Sequence, residues 1–406
     1  MKVSHEELIK ARRPGFSLAQ SFYTSEVLFQ EDIKRVFFQH WLFAGHASRL
    51  PENGRFFTLE LGNESIIIIR DDKSELHALW NVCRHRGSRI CTEPEGTARS
   101  LVCPYHQWVY RPDGTLLKAR LMSESFEAAE NGLHRAHIRV VEDLIFISAA
   151  DVPPDFELFR KTMETRLRPH DLPNAKICSK KTYLIEANWK LVVENSRECY
   201  HCGVAHPQYC KAVGFAAAIG SVAHEAECAS IEEQRMQEVK ELGLEVEGVP
   251  FQPESWYHHR RFFLRPGFVT ESIDGLPVAP LMGSLPDADT GVFAVVTLPN
   301  MLFEASRDYV MTLRLIPKGP QLTEAEVCWL VRGDAQEGTD YDLDRLTEFW
   351  RLTSEQDWKL CEDNQLGVNS SKYLPGPYGP KETGVEHFVQ WYLKQLMAGE
   401  TEDGTS

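Results

Sequence analysis

Several features that define other classes of protein are missing from this chain of 406 residues. No apolar run approaches the ~18 residues that a membrane span needs, since the stretch SIIIIRDD is short and ends in charge. The amino terminus, MKVSHEELIKARRPG, lacks the apolar centre of a signal peptide. No G-x-G-x-x-G segment follows a strand-like run, so we expect no NAD or flavin site in this chain.

Basic residues and cysteines are also few. The formal net charge is -15, which disfavours nucleic acid as a partner, because its phosphates attract Lys and Arg. Ten cysteines are scattered over the chain without the density of a disulfide framework. We therefore expect a cytoplasmic protein without a membrane anchor, in which cysteines outside any metal site are reduced thiols. That expectation includes Cys199 and Cys202, which we interpret as packing residues.

Two short segments combine cysteine with histidine. Cys83 and His85 form a C-x-H pair, and Cys103 and His106 form a C-x-x-H pair after seventeen intervening residues. In a Rieske cluster two cysteines bind one iron and two histidines bind the other, so each of two loops supplies one Cys and one His. Zinc sites usually take a C-x-x-C pair from one turn, and neither segment has one. The pattern predicts a Rieske [2Fe–2S] centre, with structural zinc as the alternative.

The composition and the hydrophobic pattern of the chain change at DVPPDF, near residue 151. Residues 41–150 consist of short runs rich in β-branched and aromatic residues, separated by turn signals, which predicts a small antiparallel β domain that carries both Cys–His loops. Residues 1–40 and 151–406 form the second predicted domain. Its strand-like segments precede two long amphipathic helical patterns, so we expect an α+β fold with helices covering an antiparallel sheet.

A second metal site is predicted in the segment NWKLVVENSRECYHCGVAHP. We predict a helix through this segment, which places Glu194, Glu198 and His201 on one face. The helix is expected to end at Gly203, so that His206 can fold back beside His201. Two imidazoles and one carboxylate bind Fe(II) in a facial triad that leaves positions open for O₂ and substrate. The alternative is two ordinary buried histidines.

These motifs, with the flanking stretches NVCRHRGSRI and VCPYHQWVY, resemble the catalytic α subunit of Rieske non-haem iron oxygenases over most of the chain. The resemblance implies a Rieske domain joined to a helix-grip catalytic domain with a mononuclear iron. It implies that His201 and His206 bind this iron together with Asp357, from the segment EQDWKLCEDNQLG. The nearby acids that rival Asp357 as the third ligand are Glu355, Glu362 and Asp363.

The same resemblance implies how electrons reach the iron. Glu198 falls where the family keeps an acid that bridges the two redox centres, and Asn195 falls on a polar position near the iron. Electrons from NAD(P)H are expected to arrive through a separate reductase with a flavin and a plant-type [2Fe–2S] centre. A head-to-tail homotrimer would bring His106 of one subunit near Glu198 of the next.

The substrate is predicted from a narrower resemblance. Three features resemble the branch of this family that acts on quaternary ammonium compounds. They are the Glu at the bridging position and the segments RECYHC and FVTESIDGLPVAPLMG. An N-methylated cation donates no hydrogen bonds and is recognised by aromatic faces. We expect oxidation of an N-methyl group of stachydrine or glycine betaine, with release of formaldehyde. We interpret His258 and His259 as residues of the pocket wall or of the surface, and not as metal ligands. The candidate aromatic residues are Tyr209, Phe215, Trp256, Tyr257, Phe262, Phe263, Phe293 and Phe303.

Two alternatives remain at this point. An aromatic-ring hydroxylase or O-demethylase would use the same metal centres on a neutral or anionic substrate. A Rieske electron carrier would use only the cluster, and it would have no need for the open iron site predicted at His201 and His206.

The paired Cys–His loops generate a spectroscopic prediction. Replacing His85 or His106 by Cys should shift the EPR signal of the reduced cluster towards that of an all-cysteine cluster, or abolish the cluster, because the imidazole-bound iron takes up the electron and its ligands determine the signal. His137→Cys, outside both motifs, serves as the control and should leave the signal unchanged. A colourless protein that holds stoichiometric zinc after anaerobic iron reconstitution would contradict the interpretation.

Overall fold

The structure, a computed structural model, describes residues 5–214 and 222–398. One compact unit is formed by Phe38–Asp155, for which the sequence predicted the bounds 41 and 150, and the remaining described residues form the other. Both units contain antiparallel sheets, and the second also contains long helices, so the predicted α+β class is confirmed. Within the two described ranges, the helices are all too short or too polar to cross a bilayer.

The Phe38–Asp155 unit is built from antiparallel strands. Seven of its ten strands form one sheet in the order β1-β10-β9-β4-β3-β2-β5, and the other three form a small sheet, β6-β7-β8. The strands are β1 (Leu42–His46), β2 (Arg55–Leu61), β3 (Glu64–Arg70), β4 (Leu76–Trp80), β5 (Glu95–Thr97), β6 (Leu101–Val102), β7 (Val109–Tyr110), β8 (Leu116–Lys118), β9 (Arg135–Val141) and β10 (Leu144–Ser148). The predicted β character of this domain follows from runs rich in β-branched and aromatic residues, such as those of β2, β3 and β10.

Both Cys–His loops leave from strands of this unit. The first follows β4, and the second connects β6 to β7. Each is closed by a pair of backbone hydrogen bonds around its cysteine: Cys83 N–H donates to Ser88 O, and Cys103 N–H donates to Trp108 O. The fourth residue after each cysteine, Gly87 or Gln107, has positive φ, which shows that the loops follow the same path.

The second unit contains one six-stranded antiparallel sheet in the order β11-β16-β15-β14-β13-β12. Its strands are β11 (Ala175–Ile185), β12 (Tyr257–Phe262), β13 (Val292–Thr297), β14 (Met301–Ala305), β15 (Val310–Gly319) and β16 (Leu322–Arg332). Its α-helices are α1 (His5–Lys10), α2 (Ser21–Thr24), α3 (Glu26–Asp32), α4 (Glu157–Leu167), α5 (Trp189–Asn195), α6 (Cys202–Ala205), α7 (Pro207–Ala212), α8 (Val222–Glu241), α9 (Leu343–Val368) and α10 (Thr383–Ala398). Helix α8 and strands β12 and β14 were not predicted from the sequence.

Helix α9 positions one side of the site described below. Its start is capped by Asp342, whose side chain accepts a hydrogen bond of 2.9 Å from Arg345 N–H. Three residues at helical spacing, Trp350, Thr353 and Asp357, line the same cavity. A single helical face therefore supplies an aromatic ring, a hydroxyl and a carboxylate to that cavity.

The predicted continuous helix from Asn188 through His201 is wrong. Helix α5 ends at Asn195, and the backbone then turns before α6 begins at Cys202. The turn is stabilised by the Glu198 carboxylate, which accepts hydrogen bonds from the backbone N–H groups of Tyr200 and His201. A side chain that bonds locally to the backbone competes with helix formation in this way.

A buried ion pair connects the amino-terminal segment to α5 and α10. Lys190 and Asp32 have fully buried side chains and are in contact with each other. The Asp32 carboxylate also accepts hydrogen bonds of 2.9 Å from Trp189 Nε1 and 2.7 Å from the Tyr392 hydroxyl. All charge on this pair is therefore compensated within the protein.

Removing one member of this pair should destabilise the fold. Asp32→Ala leaves the Lys190 ammonium buried without a counter-charge, which costs about 3–5 kcal/mol of unfolding free energy. The double variant Asp32→Leu with Lys190→Met removes both charges and should lose much less. Chemical denaturation measures both values, and a single variant as stable as the wild type would contradict this account.

Candidate active site

Three donor atoms converge at the carboxyl-terminal side of α5. Asp357 Oδ1 lies 2.9 Å from His206 Nε2 and 3.3 Å from His201 Nε2. His206 and His201 come from the turn and short helices after α5, and Asp357 comes from α9. Two imidazole nitrogens and one carboxylate oxygen form the donor set of a 2-His-1-carboxylate iron site, so these residues fit a mononuclear Fe(II).

The other nitrogen of each imidazole has its own partner. Glu198 Oε1 lies 2.6 Å from His201 Nδ1, and Gln356 Oε1 lies 2.8 Å from His206 Nδ1. Such partners fix the tautomer and the ring orientation, so that both Nε2 atoms face the point of convergence. Asn195, predicted near the iron, has its Nδ2 atom 3.4 Å from His201 Nε2.

The electrostatics of this cluster favour a cation. Burial opposes the charged form of the imidazoles, yet hydrogen bonds to Asp357 and Glu198 raise the pKa of His201 to about 9, and Asp357 raises that of His206. Burial likewise opposes ionisation of Asp357, but its contacts with both imidazoles lower the pKa of its carboxyl. The cluster therefore keeps a carboxylate ionised at the point where the imidazole nitrogens meet.

The rival acids on α9 are engaged elsewhere. Glu355 Oε1 lies 2.7 Å from Lys181 Nζ, and Glu362 accepts a 3.2 Å hydrogen bond from the backbone N–H of Glu186. Asp363 pairs with Lys359 on the helix surface. Among the four candidate acids, only Asp357 contacts the histidines.

Cys199 and Cys202 flank His201 and are joined by a disulfide. The expectation that both are reduced packing residues is therefore wrong. The end of α5 leaves the segment in a turn, where the two Cα atoms lie 5.0 Å apart, within the range that a disulfide spans. The sulfur of Cys202 is close to both imidazoles, but in the disulfide it is not a thiolate ligand.

A cavity of about 590 Å³ opens beside the three donor atoms. Its lining includes His201, His206 and Asp357, and its opposite wall is one face of the β12-β13-β14 region of the sheet. Two rows of paired residues form that wall, and all six members line the cavity: His258, Val296 and Leu302, then Arg260, Ala294 and Glu304. The volume suits a small organic ligand.

The aromatic residues of the cavity differ from most of those expected. Tyr209 lines it, as do Trp350 and Phe251, which the sequence analysis missed. Phe293 and Phe303 alternate with the wall residues of β13 and β14, so they face the other side of the sheet and are buried there. Trp256, Tyr257, Phe262 and Phe263 do not line the cavity, and Phe215 lies outside the described residues.

Charged residues of the cavity were also missed. Arg197, Arg260, Glu304 and Lys381 all line it. His258, interpreted as pocket wall or surface, lines the cavity and is 8% exposed. No sequence signal marked Glu304, because alternation along a strand does not say which face meets a ligand.

The Cys–His loops of the first unit bring their side chains together. Cys83 and Cys103 are buried in its core, whereas His85 and His106 are exposed at the loop tips with ring centroids 4.6 Å apart. Trp108 stacks on His85 at 4.9 Å. Two buried sulfurs below two exposed imidazoles fit a [2Fe–2S] cluster with one sulfur-ligated and one imidazole-ligated iron.

Comparison with known proteins agrees with both sites. The family described as "Ring hydroxylating alpha subunit (catalytic domain)" matches residues 172–398, and the "Rieske [2Fe-2S] domain" matches residues 40–133. The chain is 36% identical over 398 residues to a glycine betaine monooxygenase oxygenase subunit of Chromohalobacter salexigens, covering 97% of this chain and 88% of the relative. It is 37% identical over 404 residues to the subunit of the same name from Pseudomonas aeruginosa UCBPP-PA14, covering 96% and 91%.

Among solved structures, the fold is similar to that of the quaternary ammonium Rieske monooxygenase CntA in complex with an inhibitor. The TM-score is 0.72 at 22% identity, covering 96% of this chain and 98% of the other. The chain belongs to the family of ring-hydroxylating α subunits and is a Rieske non-haem iron oxygenase. Its cofactors are accordingly those predicted, a Rieske [2Fe–2S] cluster and a mononuclear iron, with electrons supplied by a separate reductase.

Proposed function

We propose that this chain is the oxygenase component that oxidises an N-methyl group of a small betaine, glycine betaine or stachydrine. The observation that carries the proposal is the convergence of His201, His206 and Asp357 at the wall of a cavity that also contains Tyr209 and Trp350. An iron held there would face a bound ligand, and the aromatic rings offer faces to an N-methylated cation. The names of the two glycine betaine relatives support this substrate class.

In the proposed reaction, O₂ and two electrons convert one N-methyl group to an N-hydroxymethyl group, and the second oxygen atom leaves as water with two protons. The hydroxymethyl O–H then loses its proton, the carbon–nitrogen bond breaks towards nitrogen, and formaldehyde and the demethylated amine separate. When bound, the iron supplies the oxidising chemistry. The chain supplies the position of the methyl group and keeps bulk water from the reacting carbon.

In this proposal the cluster of polar residues behind the iron site has a positioning role. Glu198 and Gln356 hold the Nδ1 atoms of the two histidines, so that both Nε2 atoms remain directed at the metal. Asn195 is the third polar group next to His201. Glu198 is half-buried and also serves, in our proposal, as the bridge through which an electron from a neighbouring subunit's cluster reaches the iron in a head-to-tail homotrimer.

The proposed ligands of the Rieske cluster are Cys83, Cys103, His85 and His106. Because both imidazoles are exposed, the imidazole-ligated iron would lie at the surface of its unit, accessible to an electron donor. The donor we propose is a reductase that carries a flavin and a plant-type [2Fe–2S] centre and draws electrons from NAD(P)H. An electron carrier without oxygenase activity would not need the His201, His206 and Asp357 set.

The proposed iron ligands generate a test by metal analysis. Asp357→Ala should lose about one iron atom per chain and all turnover, because two imidazoles alone hold Fe(II) weakly, and the visible spectrum of the Rieske cluster should remain. Glu362→Ala, on the same helix, is the matched control and should keep its iron. If Asp357→Ala retains mononuclear iron and activity, the third ligand is a different residue.

The proposed substrate is tested by product analysis. With NADH, O₂ and a surrogate reductase, the wild type should release formaldehyde and the demethylated amine in equal amounts from glycine betaine or stachydrine. Each N-methyl oxidation uses two electrons, which is the number that one NADH supplies, so NADH consumption should match formaldehyde. Hydroxylation of benzoate, without any formaldehyde from betaines, would instead identify an aromatic-ring hydroxylase.

A further inference from the structure

The cavity contains a buried cation with two nitrogen atoms that have no hydrogen-bond partner among the described residues. Arg197, in the turn after α5, is 7% exposed, and its Nε and Nη1 atoms have no hydrogen-bond partner among the described residues. Its guanidinium lies 5.1 Å from the ring of Phe251, which in turn lies 3.6 Å from the ring of His258. Arg197 is always charged at physiological pH, so its charge requires a partner from outside the chain.

The same cavity contains a buried anion. Glu304 is also 7% exposed, and its Oε2 atom has no hydrogen-bond partner among the described residues. Its polar neighbour is the carboxyl of Glu271, which is 1% exposed and accepts hydrogen bonds from Ser306 Oγ at 3.2 Å and Trp350 Nε1 at 3.4 Å. Two adjacent carboxyl groups in such surroundings share one proton and retain one negative charge.

The location of that proton follows from the surroundings of the two groups. Burial raises the pKa of Glu271, and the neighbouring charge of Glu304 raises it further. Burial raises the pKa of Glu304 to about 7, while the hydrogen bond from Glu271 and the charge of Arg260 lower it. Glu271 therefore holds a proton more tightly than Glu304, whose carboxyl lines the cavity.

Tyr209 connects the anionic end of the cavity to the proposed iron ligands. Its ring lies 6.2 Å from that of His206 and 6.0 Å from that of Trp350, whose indole N–H reaches Glu271. Glu304 stands two strands from Arg260 in the same row, with the small side chain of Ala294 between them. The anionic end thus borders Tyr209 and the iron ligands, and Arg197 lies beside Phe251 and His258.

We infer that this cavity recognises a zwitterion, with the ammonium group of the substrate held by Glu304 and its carboxylate held by Arg197. This inference rests on the proposed function and narrows its substrate class, because a cation without a carboxylate leaves Arg197 uncompensated. Each buried charge opposes binding of a ligand that cannot compensate it. The arrangement also sets orientation, since the N-methyl groups then lie on the side of the cavity that contains Tyr209 and Trp350.

The test is equilibrium binding to the anaerobic holoenzyme, measured by titration calorimetry. The ligands are glycine betaine and stachydrine, choline as a cation without a carboxylate, and 3,3-dimethylbutanoate as the carbon isostere without the positive charge. The wild type should bind the two betaines most tightly. Glu304→Gln should weaken betaine and choline binding roughly 10- to 100-fold but not binding of the isostere, whereas Arg197→Gln should weaken binding of betaines and the isostere but not of choline.

Matched controls separate charge from structure. Glu324→Gln, on the same sheet beside Lys318, and Arg351→Gln, on the outer face of α9, change charges that do not line the cavity and should leave all four affinities unchanged. Glu271→Gln should largely preserve binding, because its amide can donate to Glu304 as the protonated acid does. Thermal unfolding and the cluster spectrum show whether each variant is folded.

Three results would overturn the inference. The first is an equal loss of affinity for every ligand in both variants, and the second is no loss of affinity in either variant. The third, which needs no variant, is a wild type that binds choline as tightly as the betaines. If the wild type still releases formaldehyde from betaines, only the recognition by Glu304 and Arg197 is wrong. If no quaternary ammonium compound binds and an aromatic acid is hydroxylated, the proposed function is wrong as well.

Discussion

The contact between Asp357 and the two imidazoles links parts of the second unit that are distant in sequence. His201 and His206 follow the end of α5, whereas Asp357 lies on α9, about 150 residues further along the chain. The capping of α9 at Asp342 and the turn stabilised by Glu198 determine where these groups lie. The face of α9 that carries Asp357 also carries Trp350, so this carboxylate and one aromatic ring of the cavity lining are positioned by one rigid element.

Buried charges in this unit fall into two kinds. Lys190 and Asp32 compensate each other fully, and their role is structural. Arg197 and Glu304 are also buried, but Arg197 Nε and Nη1 and Glu304 Oε2 have no hydrogen-bond partner among the described residues. Because an uncompensated buried charge destabilises the fold, its presence in a cavity beside candidate metal ligands indicates binding of a ligand. In this account the aromatic faces and the charged side chains both contribute to binding of the substrate. The sequence had suggested only aromatic faces for recognition of its ammonium group.

Local motifs were predictable from the sequence, and long-range placement was not. The Cys83–His85 and Cys103–His106 pairs could be predicted as cluster ligands because each pair lies within one loop, and His201 and His206 could be predicted as candidate iron ligands because they are five residues apart. Asp357 required a family resemblance. Hydrophobic periodicity predicted α9 and most strands, but it could not show that β13 turns Ala294 and not Phe293 towards the cavity. The turn at Glu198 was missed because a single side-chain bond to the backbone overrides helical spacing.

The central claim is that a betaine binds with its N-methyl groups next to an iron held by His201, His206 and Asp357. Proton NMR relaxation of glycine betaine in fast exchange with the protein measures this directly, because a paramagnetic Fe(II) shortens the relaxation times of nearby protons. With the cluster oxidised, we expect the N-methyl protons to relax faster in the presence of the iron-loaded wild type than with a sample from which mononuclear iron has been removed. Identical relaxation with the two samples, while betaine binds to both, would contradict the account.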